Sequence, residues 1–466
     1  MKKNKALKAG IWYTIANFIT KGAAFLTTPL FTRMMTKSDI GVYSNITSWL
    51  SVLVIITTFE FCTSLMVARF DYKEEFNKYV SSILFYGSVI TIVFYCIVLI
   101  DIDFFAEMLS MPVYSIHIIF IYMIVYPGLQ AYQYICRYTY NYRGVILTSI
   151  VTVLVSVVIS LFGTFVSTNK LAGRTLGYYI PLIIINFIIY IYLMIKGKGV
   201  SLKYLKYSVS ISFPMIWHVL AGQVLSAGDR IVITRYIGSG ANAMYSVAYT
   251  CGMVINVLWN SMNSAWAPWA TQKMDENQLE EMKKATYPYL ISFCLVALFF
   301  ALIAPEMLFM MGGTSYLEAK AVLPPVIAGY ICQFVYSLYV NCEFYLKKQN
   351  RIAIGTAMAA ILNLGLNILF IPKFGYVAAA YTTLFGYLCL VIFHYFSVKL
   401  LKKEKWYDNR FQWSVIAITI CLIPVINLLY TFNILRYTIL IISACALLIC
   451  VYKKRKDILY FIRKIL

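Results

Sequence analysis

Residues 79–100 read YVSSILFYGSVITIVFYCIVLI, an uninterrupted run without a single charged side chain. As a helix rising 1.5 Å per residue, such a run is about 33 Å long, enough to cross roughly 30 Å of hydrocarbon. The same texture extends outward in both directions. Of 466 residues, 61% are hydrophobic and 13% charged, against about 25% charged in soluble domains. A water-soluble core cannot hide that much apolar surface, and the same figures exclude a disordered chain. The 11 cysteines are scattered through apolar stretches without paired spacing, which argues against a disulfide scaffold. The net charge of +21 would suggest nucleic acid in a soluble protein. In a membrane chain the placement of the cations matters more than their number, and no nucleic-acid partner is implied.

Fourteen stretches qualify as spans: 10–32, 41–68, 79–100, 113–136, 145–167, 177–195, 209–235, 242–270, 286–304, 322–346, 352–371, 376–398, 411–431 and 437–452. The chain therefore reads as an all-α integral membrane protein. The first stretch follows Lys2, Lys3, Lys5 and Lys8, but it is too long for a signal peptide and lacks a cleavage box, so it reads as a retained helix. With the amino terminus cytoplasmic, alternation places Lys196–Lys206, Lys347–Arg351, Lys399–Arg410 and Lys453–Lys456 on the cytoplasmic side. That is the side where basic loops belong, and both termini then lie there. Asp101, Asp103 and Glu107 fall in an outer loop free of cations, whereas Lys170 and Arg174 fit their outer assignment less well. No loop is long enough to fold as a domain, and no G-x-x-x-x-G-K-[ST] phosphate loop occurs. Function is expected inside the bundle, without a cofactor.

Spans one and seven align without gaps at an offset of 202, placing Thr32-Arg33 on Thr234-Arg235 and Tyr43-Ser44 on Tyr245-Ser246. A fainter echo relates Arg143 to Arg351. Duplicated halves are a common transporter design. The expected division is 1–200 for spans one to six, 201–405 for spans seven to twelve, and 406–466 for two appended spans with a basic tail.

The same offset relates two stripes at helical spacing. Span one presents Thr14, Asn17, Lys21, Ala24, Thr28 and Thr32; span seven presents Ile216, Val219, Gln223, Ser226, Arg230 and Thr234. Span eight adds Gly252, Asn256, Asn260 and Asn263, and span ten adds Tyr330, Gln333, Ser337 and Asn341. Lipid-facing surfaces do not look like this. The amides fit either a central cavity or helix-to-helix packing. Lys21 sits near mid-span, too deep to reach either surface, and a cation there costs at least about 2.5–3.5 kcal/mol unless water, a counter-charge or an anionic ligand meets it. Arg230 follows Asp229, and neighbours on a helix diverge by about 100°, which argues against direct neutralisation. Arg33 and Arg235 stand at span ends, where they either snorkel or meet a ligand. Glu60, Asp229 and Glu343 lie within spans and are candidates for ion coupling, or partners for Lys21 or Arg230. His218 and His394 read as packing histidines that hydrogen-bond locally.

Pro29-Leu30-Phe31-Thr32-Arg33-Met34-Met35 through Asp39-Ile40-Gly41-Val42-Tyr43 resembles the first helix and exit turn of Wzx-type polysaccharide flippases, within the multidrug/oligosaccharidyl-lipid/polysaccharide exporter superfamily. Asp229-Arg230, Tyr236-Ile237-Gly238 and Met244-Tyr245-Ser246-Val247-Ala248-Tyr249 resemble the start of its second half. Asn363-Leu364-Gly365-Leu366-Asn367 with Ile371-Pro372-Lys373-Phe374-Gly375 resembles its eleventh and twelfth helices. The two extra spans resemble the lipid II branch in number.

The resemblance implies two pseudo-symmetric six-helix lobes facing each other across a central cavity. It also implies that the chain turns undecaprenyl-pyrophosphate-linked oligosaccharide repeat units, such as O-antigen units, to the outer leaflet of a bacterial plasma membrane by alternating access. A polymerase and glycosyltransferases would be its partners. The expected substrate contacts are Lys21, Arg230, Arg33, Arg235, Asn17, Thr28, Gln223, Asn256 and Asn260. Two other classes compete. A multidrug cation antiporter shares the fold but should have an acidic cavity. A membrane polymerase or glycosyltransferase, for which Asp101 and Asp103 would be the acidic pair, needs larger outer loops than this chain has.

Overall fold

The computed structural model describes residues 22–139, 141–401 and 406–453, with side chains to 445. Lys21 and Asn17 lie outside these residues. Among those described there are α-helices and 3-10 segments, the longest of the latter Thr314–Val322, but no strand. In chain order the helices are α1 (22–34), α2 (Lys37–Thr58), α3 (Leu65–Asp71), α4 (Phe76–Ile100), α5 (Ile102–Leu109), α6 (Val113–Tyr138), α7 (Tyr142–Val166) and α8 (Lys170–Gly197). There follow α9 (Leu202–Tyr236), α10 (Ser239–Asp275), α11 (Leu279–Leu302), α12 (Ala304–Gly312), α13 (Leu323–Tyr345), α14 (Gln349–Phe374), α15 (Val377–Leu400), α16 (Asn409–Leu429) and α17 (Asn433–Lys453). Among the described residues, eleven helical segments are long and apolar enough to cross a membrane. α10 is longer than any of them, at 37 residues, but its amides and hydroxyls keep it out of that set.

Local chemistry sets the boundaries. Thr36 starts α2 with a capping box, its hydroxyl accepting from the Asp39 amide while the Asp39 carboxylate accepts from the Thr36 amide. Gly238 and Gly375 carry the chain out of α9 and α14 at φ of 117° and 78°, which only glycine adopts cheaply. The second predicted span is not continuous. Phe59 and Glu60 are both left-handed, at φ of 52° and 46°, and a 3-10 turn over Phe61–Ser64 separates α2 from α3. Consecutive left-handed residues with side chains store backbone strain.

Helices α4, α6, α7 and α8 pack together as one group, and α10, α11, α13, α14 and α15 as a second. The first half of α9 belongs to the first group: Tyr204 and Ile216 lie in its apolar clusters, and Ser212 donates to the Glu60 carbonyl. From Ala221 onward α9 enters the core of the second group, with Leu225 and Val232. One long helix thus packs on both groups, α9 also lying along α14 of the second. The two last helices lie against the second group. Tyr339 donates to Gln412 of α16, and buried Arg436 of α17 holds Glu306 through two bonds of 2.6 and 2.7 Å.

At the α1–α2 end, α2, which packs on the first group through Ile46, Val54 and Ile55, meets α10 of the second group, and one of the contacts joins residues that the internal repeat relates. Ser44 Oγ lies 2.6 Å from Ser246 Oγ, a separation of 202 in sequence. Ser38 and Ser239 hydroxyls are 2.8 Å apart, and Asn242 donates to the Gly41 carbonyl at 2.9 Å. A Cβ on Gly41 would stand 1.7 Å from the Ser239 carbonyl oxygen, so only glycine allows this approach. Arg33 ends α1 and donates to the Met310 carbonyl of α12; its repeat counterpart Arg235 ends α9 and donates to the Glu107 carbonyl of α5, each at 3.3 Å. Each acceptor sits in the short helix after the third span of its half, so the two arms are reciprocal.

Candidate functional site

A cavity of about 870 Å³ lies between the two groups, walled by α1, α2, α6, α7, α8, α9, α10, α13, α14 and α15. Its walls come from the predicted stripes where those stripes face inward. Ala24 and Thr28 of α1 line it, as do Gln223, Ser226 and Arg230 of α9. The first turns of the span-seven stripe do not: Ile216 is buried among apolar residues of the first group, and Val219 packs against them. Thr234 is hydrogen-bonded to Asn242 instead.

The amides of α10 and α13 divide between the two roles open to them. Asn256 donates to Gln333 at 3.1 Å, Trp259 to Ser337 at 3.3 Å, and Asn341 to Asn263 at 3.1 Å, forming a ladder that joins the helices. Only Asn256, Tyr330 and Gln333 of these two stripes also line the cavity. Asn260 donates to Asn256 at 2.8 Å and is not part of the wall. Polar pairs of this kind contribute of order 1 kcal/mol between helices in lipid.

Arg230 lines the cavity with its guanidinium 4.4 Å from the Tyr249 ring centroid. Contrary to the angular argument from sequence, it does meet Asp229: Nη1 is 3.7 Å from Oδ1. The long side chain folds back along the helix, where Nη1 also donates to the Ser226 carbonyl at 2.9 Å. Asp229 itself is buried and accepts from the Tyr245 hydroxyl. Removing one member of such a pair strands a charge in protein. Asp229→Ala is therefore expected to destabilise the folded protein by about 3–5 kcal/mol, read as a fall in unfolding temperature in detergent. Asp229→Leu combined with Arg230→Met should recover most of that loss; a double variant as unstable as the single one would argue against the pairing.

The other candidates lie away from the cavity. Arg33 and Arg235 sit in the contacts that close the α1–α2 end. Glu60 is buried at the α2 break with Gln130 Nε2 3.5 Å from Oε2. Glu343 is buried against His394, with Nδ1 to Oε2 2.8 Å. His394 is thus held locally, as expected of a packing histidine.

Sequence reasoning misses Arg174. Hydropathy starts the sixth span at 177 and so leaves Arg174 in an outer loop, whereas α8 begins at Lys170, capped by the Asn169 side chain accepting from the Ala172 amide. Those extra residues, about two turns, draw Arg174 into the cavity wall, with its guanidinium carbon 4.0 Å from the Phe31 ring centroid and 3.7 Å from that of Tyr43. Tyr178, one turn along, lines the cavity with it. The Asn169 cap signal and the i, i+4 pairing with Tyr178 are the clues that could have found it.

Comparison with known proteins is consistent with this geometry. An uncharacterized membrane protein of Methanocaldococcus jannaschii is 22% identical, over 91% of this chain and 90% of its own. Among solved structures, the lipid II flippase MurJ in an inward closed conformation superposes with a TM-score of 0.67 at 16% identity, covering 96% of this chain and 100% of that one. An inward-facing multidrug resistance MATE family transporter of the MOP superfamily gives 0.62 at 13% identity, over 86% and 96%. The fold is therefore the one these transporters share. Residues 6–274, more than half of the chain, match the family described as polysaccharide biosynthesis protein, and the chain belongs to that family.

Proposed function

We propose that the protein moves undecaprenyl-pyrophosphate-linked oligosaccharide repeat units from the inner to the outer leaflet of a bacterial plasma membrane by alternating access. The observation that carries this reading is the chamber between the two helix groups, large, lined by Arg174, Arg230, tyrosines and amides, and closed at one end by repeat-related contacts. In this reading the closed end faces outward and both termini are cytoplasmic. Residues 1–200 and 201–405 act as two rocking lobes, and 406–466 serves as an appendage.

A pyrophosphate with its sugars cannot cross hydrocarbon, since stripping water from such a charge costs tens of kcal/mol in the limiting estimate. A chamber carrying guanidinium and amide groups replaces that water. The polyprenyl tail stays in lipid, so only the head needs enclosing. Arg230, Thr28, Gln223 and Asn256 are assigned to the head, together with Lys21 and Asn17 of the preceding part of the first span. Glu60, buried at a helix break with an amide but, among the described residues, no cation as hydrogen-bonding partner, is assigned to ion coupling. A polymerase would take over the product, and glycosyltransferases would supply the substrate. A cation antiporter is disfavoured because the charged side chains on the chamber wall are arginines.

The test is reconstitution in vesicles carrying a lipid-linked oligosaccharide on the inner leaflet. Intact substrate should appear outside in a protein-dependent manner; a lengthened glycan would indicate a polymerase, and movement of organic cations alone would indicate an antiporter. Lys21→Gln is expected to lower the transport rate by about tenfold or more while leaving membrane insertion unchanged. Such a loss corresponds to about 1.4 kcal/mol of lost interaction.

A further inference from the structure

We infer that Arg174 is the anion anchor of the chamber and that the wall supplied by the second helix group takes the uncharged sugar rings, so that the head is held with its phosphates toward α8. This rests on the flippase reading and specifies how its site divides.

The two chamber arginines differ in what already satisfies them. Arg230 has Asp229 at 3.7 Å and a carbonyl at 2.9 Å. Arg174 forms no ion pair among the described residues. Its Nε is buried without a hydrogen-bond partner, and its Nη1 is directed at the Met35 sulfur at 3.7 Å. Phe31 and Tyr43 pack against the guanidinium, and the Tyr43 hydroxyl is its one polar side-chain partner among the described residues besides the Met35 sulfur. Rings satisfy the faces of a planar cation and leave its N–H edge to other acceptors. Phosphate oxygens match that edge as a bidentate acceptor, which a compact ammonium cannot reproduce.

The anchor is also rigid. A Cβ on Gly173 would stand 2.2 Å from the Gly163 carbonyl oxygen, and one on Gly177 would stand 2.7 Å from that of Ile159. Ser160 of α7 donates to the Arg174 carbonyl at 2.9 Å. These contacts seat α8 on α7 without slack, so Arg174 is presented at a fixed place rather than on a mobile loop.

Tyrosines line both sides of the chamber, Tyr122, Tyr178 and Tyr179 on the first group's side, so the second group's wall differs by its amide pair and by its compensated charge. Tyr249, Tyr330, Tyr336 and Tyr387 line the chamber beside the Asn256–Gln333 amide pair. Aromatic faces stack on the C–H faces of sugar rings, and phenol and amide groups exchange hydrogen bonds with hydroxyls. The charge lies on the α9 edge of this wall, where Asp229 already compensates Arg230.

The division is tested on the purified full-length protein in detergent with two probes: a short-chain isoprenyl diphosphate lacking sugar, and a lipid diphosphate carrying an oligosaccharide. Arg174→Gln should weaken the sugar-free diphosphate at least tenfold. Tyr336→Ala should weaken the sugar-bearing probe more than the sugar-free one. Affinity of Arg174→Gln within twofold of wild type for the diphosphate overturns the anchor, and equal losses for both probes in Tyr336→Ala overturn the sugar wall. If Arg174→Gln does not fold, Arg174→Lys decides: it should bind the diphosphate at least threefold more weakly, and unchanged affinity overturns the anchor. If Arg174 governs diphosphate affinity in this way but the wild-type protein moves no lipid-linked oligosaccharide across vesicles, the flippase reading fails and the anchor stands.

Discussion

Ser44→Cys/Ser246→Cys protein is expected to lose transport almost completely under oxidising conditions and to regain it on reduction. The wild-type hydroxyl oxygens are 2.6 Å apart, within reach of the short Cβ separation that a disulfide requires. A covalent link between repeat-equivalent helices would hold the α1–α2 end shut, while alternating access requires that end to part. The loss should approach the sensitivity limit of a vesicle transport assay, with each single-cysteine variant showing nothing comparable under the same oxidant. Cross-linked protein that still transports at the wild-type rate would mean that this end does not open during the cycle.

Gly41→Ala is expected to force the same end apart and to lower transport as well. The added Cβ would fall 1.7 Å from the Ser239 carbonyl oxygen. That atom is backbone, so relief requires α2 and α10 to separate. Packed interfaces do not absorb such overlap by small adjustments. The contacts at Ser38–Ser239, Ser44–Ser246 and Asn242–Gly41 depend on the same approach and should be weakened together. The transport rate should fall by about tenfold or more, on the order of 1.4 kcal/mol in barrier or population. Disulfide formation between Ser44→Cys and Ser246→Cys should slow sharply when Gly41→Ala is introduced alongside. Wild-type cross-linking and transport in that background would show that the close approach has no role in the cycle.

Arg33 and Arg235 are legible as repeat partners from the Thr32-Arg33 and Thr234-Arg235 match, and their carbonyl contacts across the two groups give that match a geometric meaning. What their side chains touch is not legible, because helix spacing gives the depth and angle of a residue on its own axis but not the surface opposite. The same gap explains Asn260 and Asn263, whose spacing with Asn256 suggests one cavity-facing stripe. Asn260 donates to Asn256 and Asn263 accepts from Asn341, and α13 covers that part of α10. Arg174 escapes the sequence for another reason. Hydropathy marks where a span becomes apolar, whereas the helix starts a turn or more earlier at its Asn169 cap. Glu60 is recognisable as lying within an apolar stretch, but nothing in the sequence announces two left-handed residues breaking the helix there.

The membrane solvent, the all-helical character and the duplicated plan are legible along the chain. These follow from quantities summed along the chain: apolar length, backbone hydrogen bonds that hydrocarbon cannot supply, and periodic identity at one offset. Tertiary structure alone decided which polar residues face the chamber, that Asp229 neutralises Arg230 while Arg174 forms no ion pair among the described residues, and that Gly41 and Ser44 meet the equivalent end of the second half. Those outcomes depend on how helices distant in sequence are rotated and shifted against one another. A rotation of one residue, about 100°, turns a chamber wall into a packed interface without changing composition or spacing.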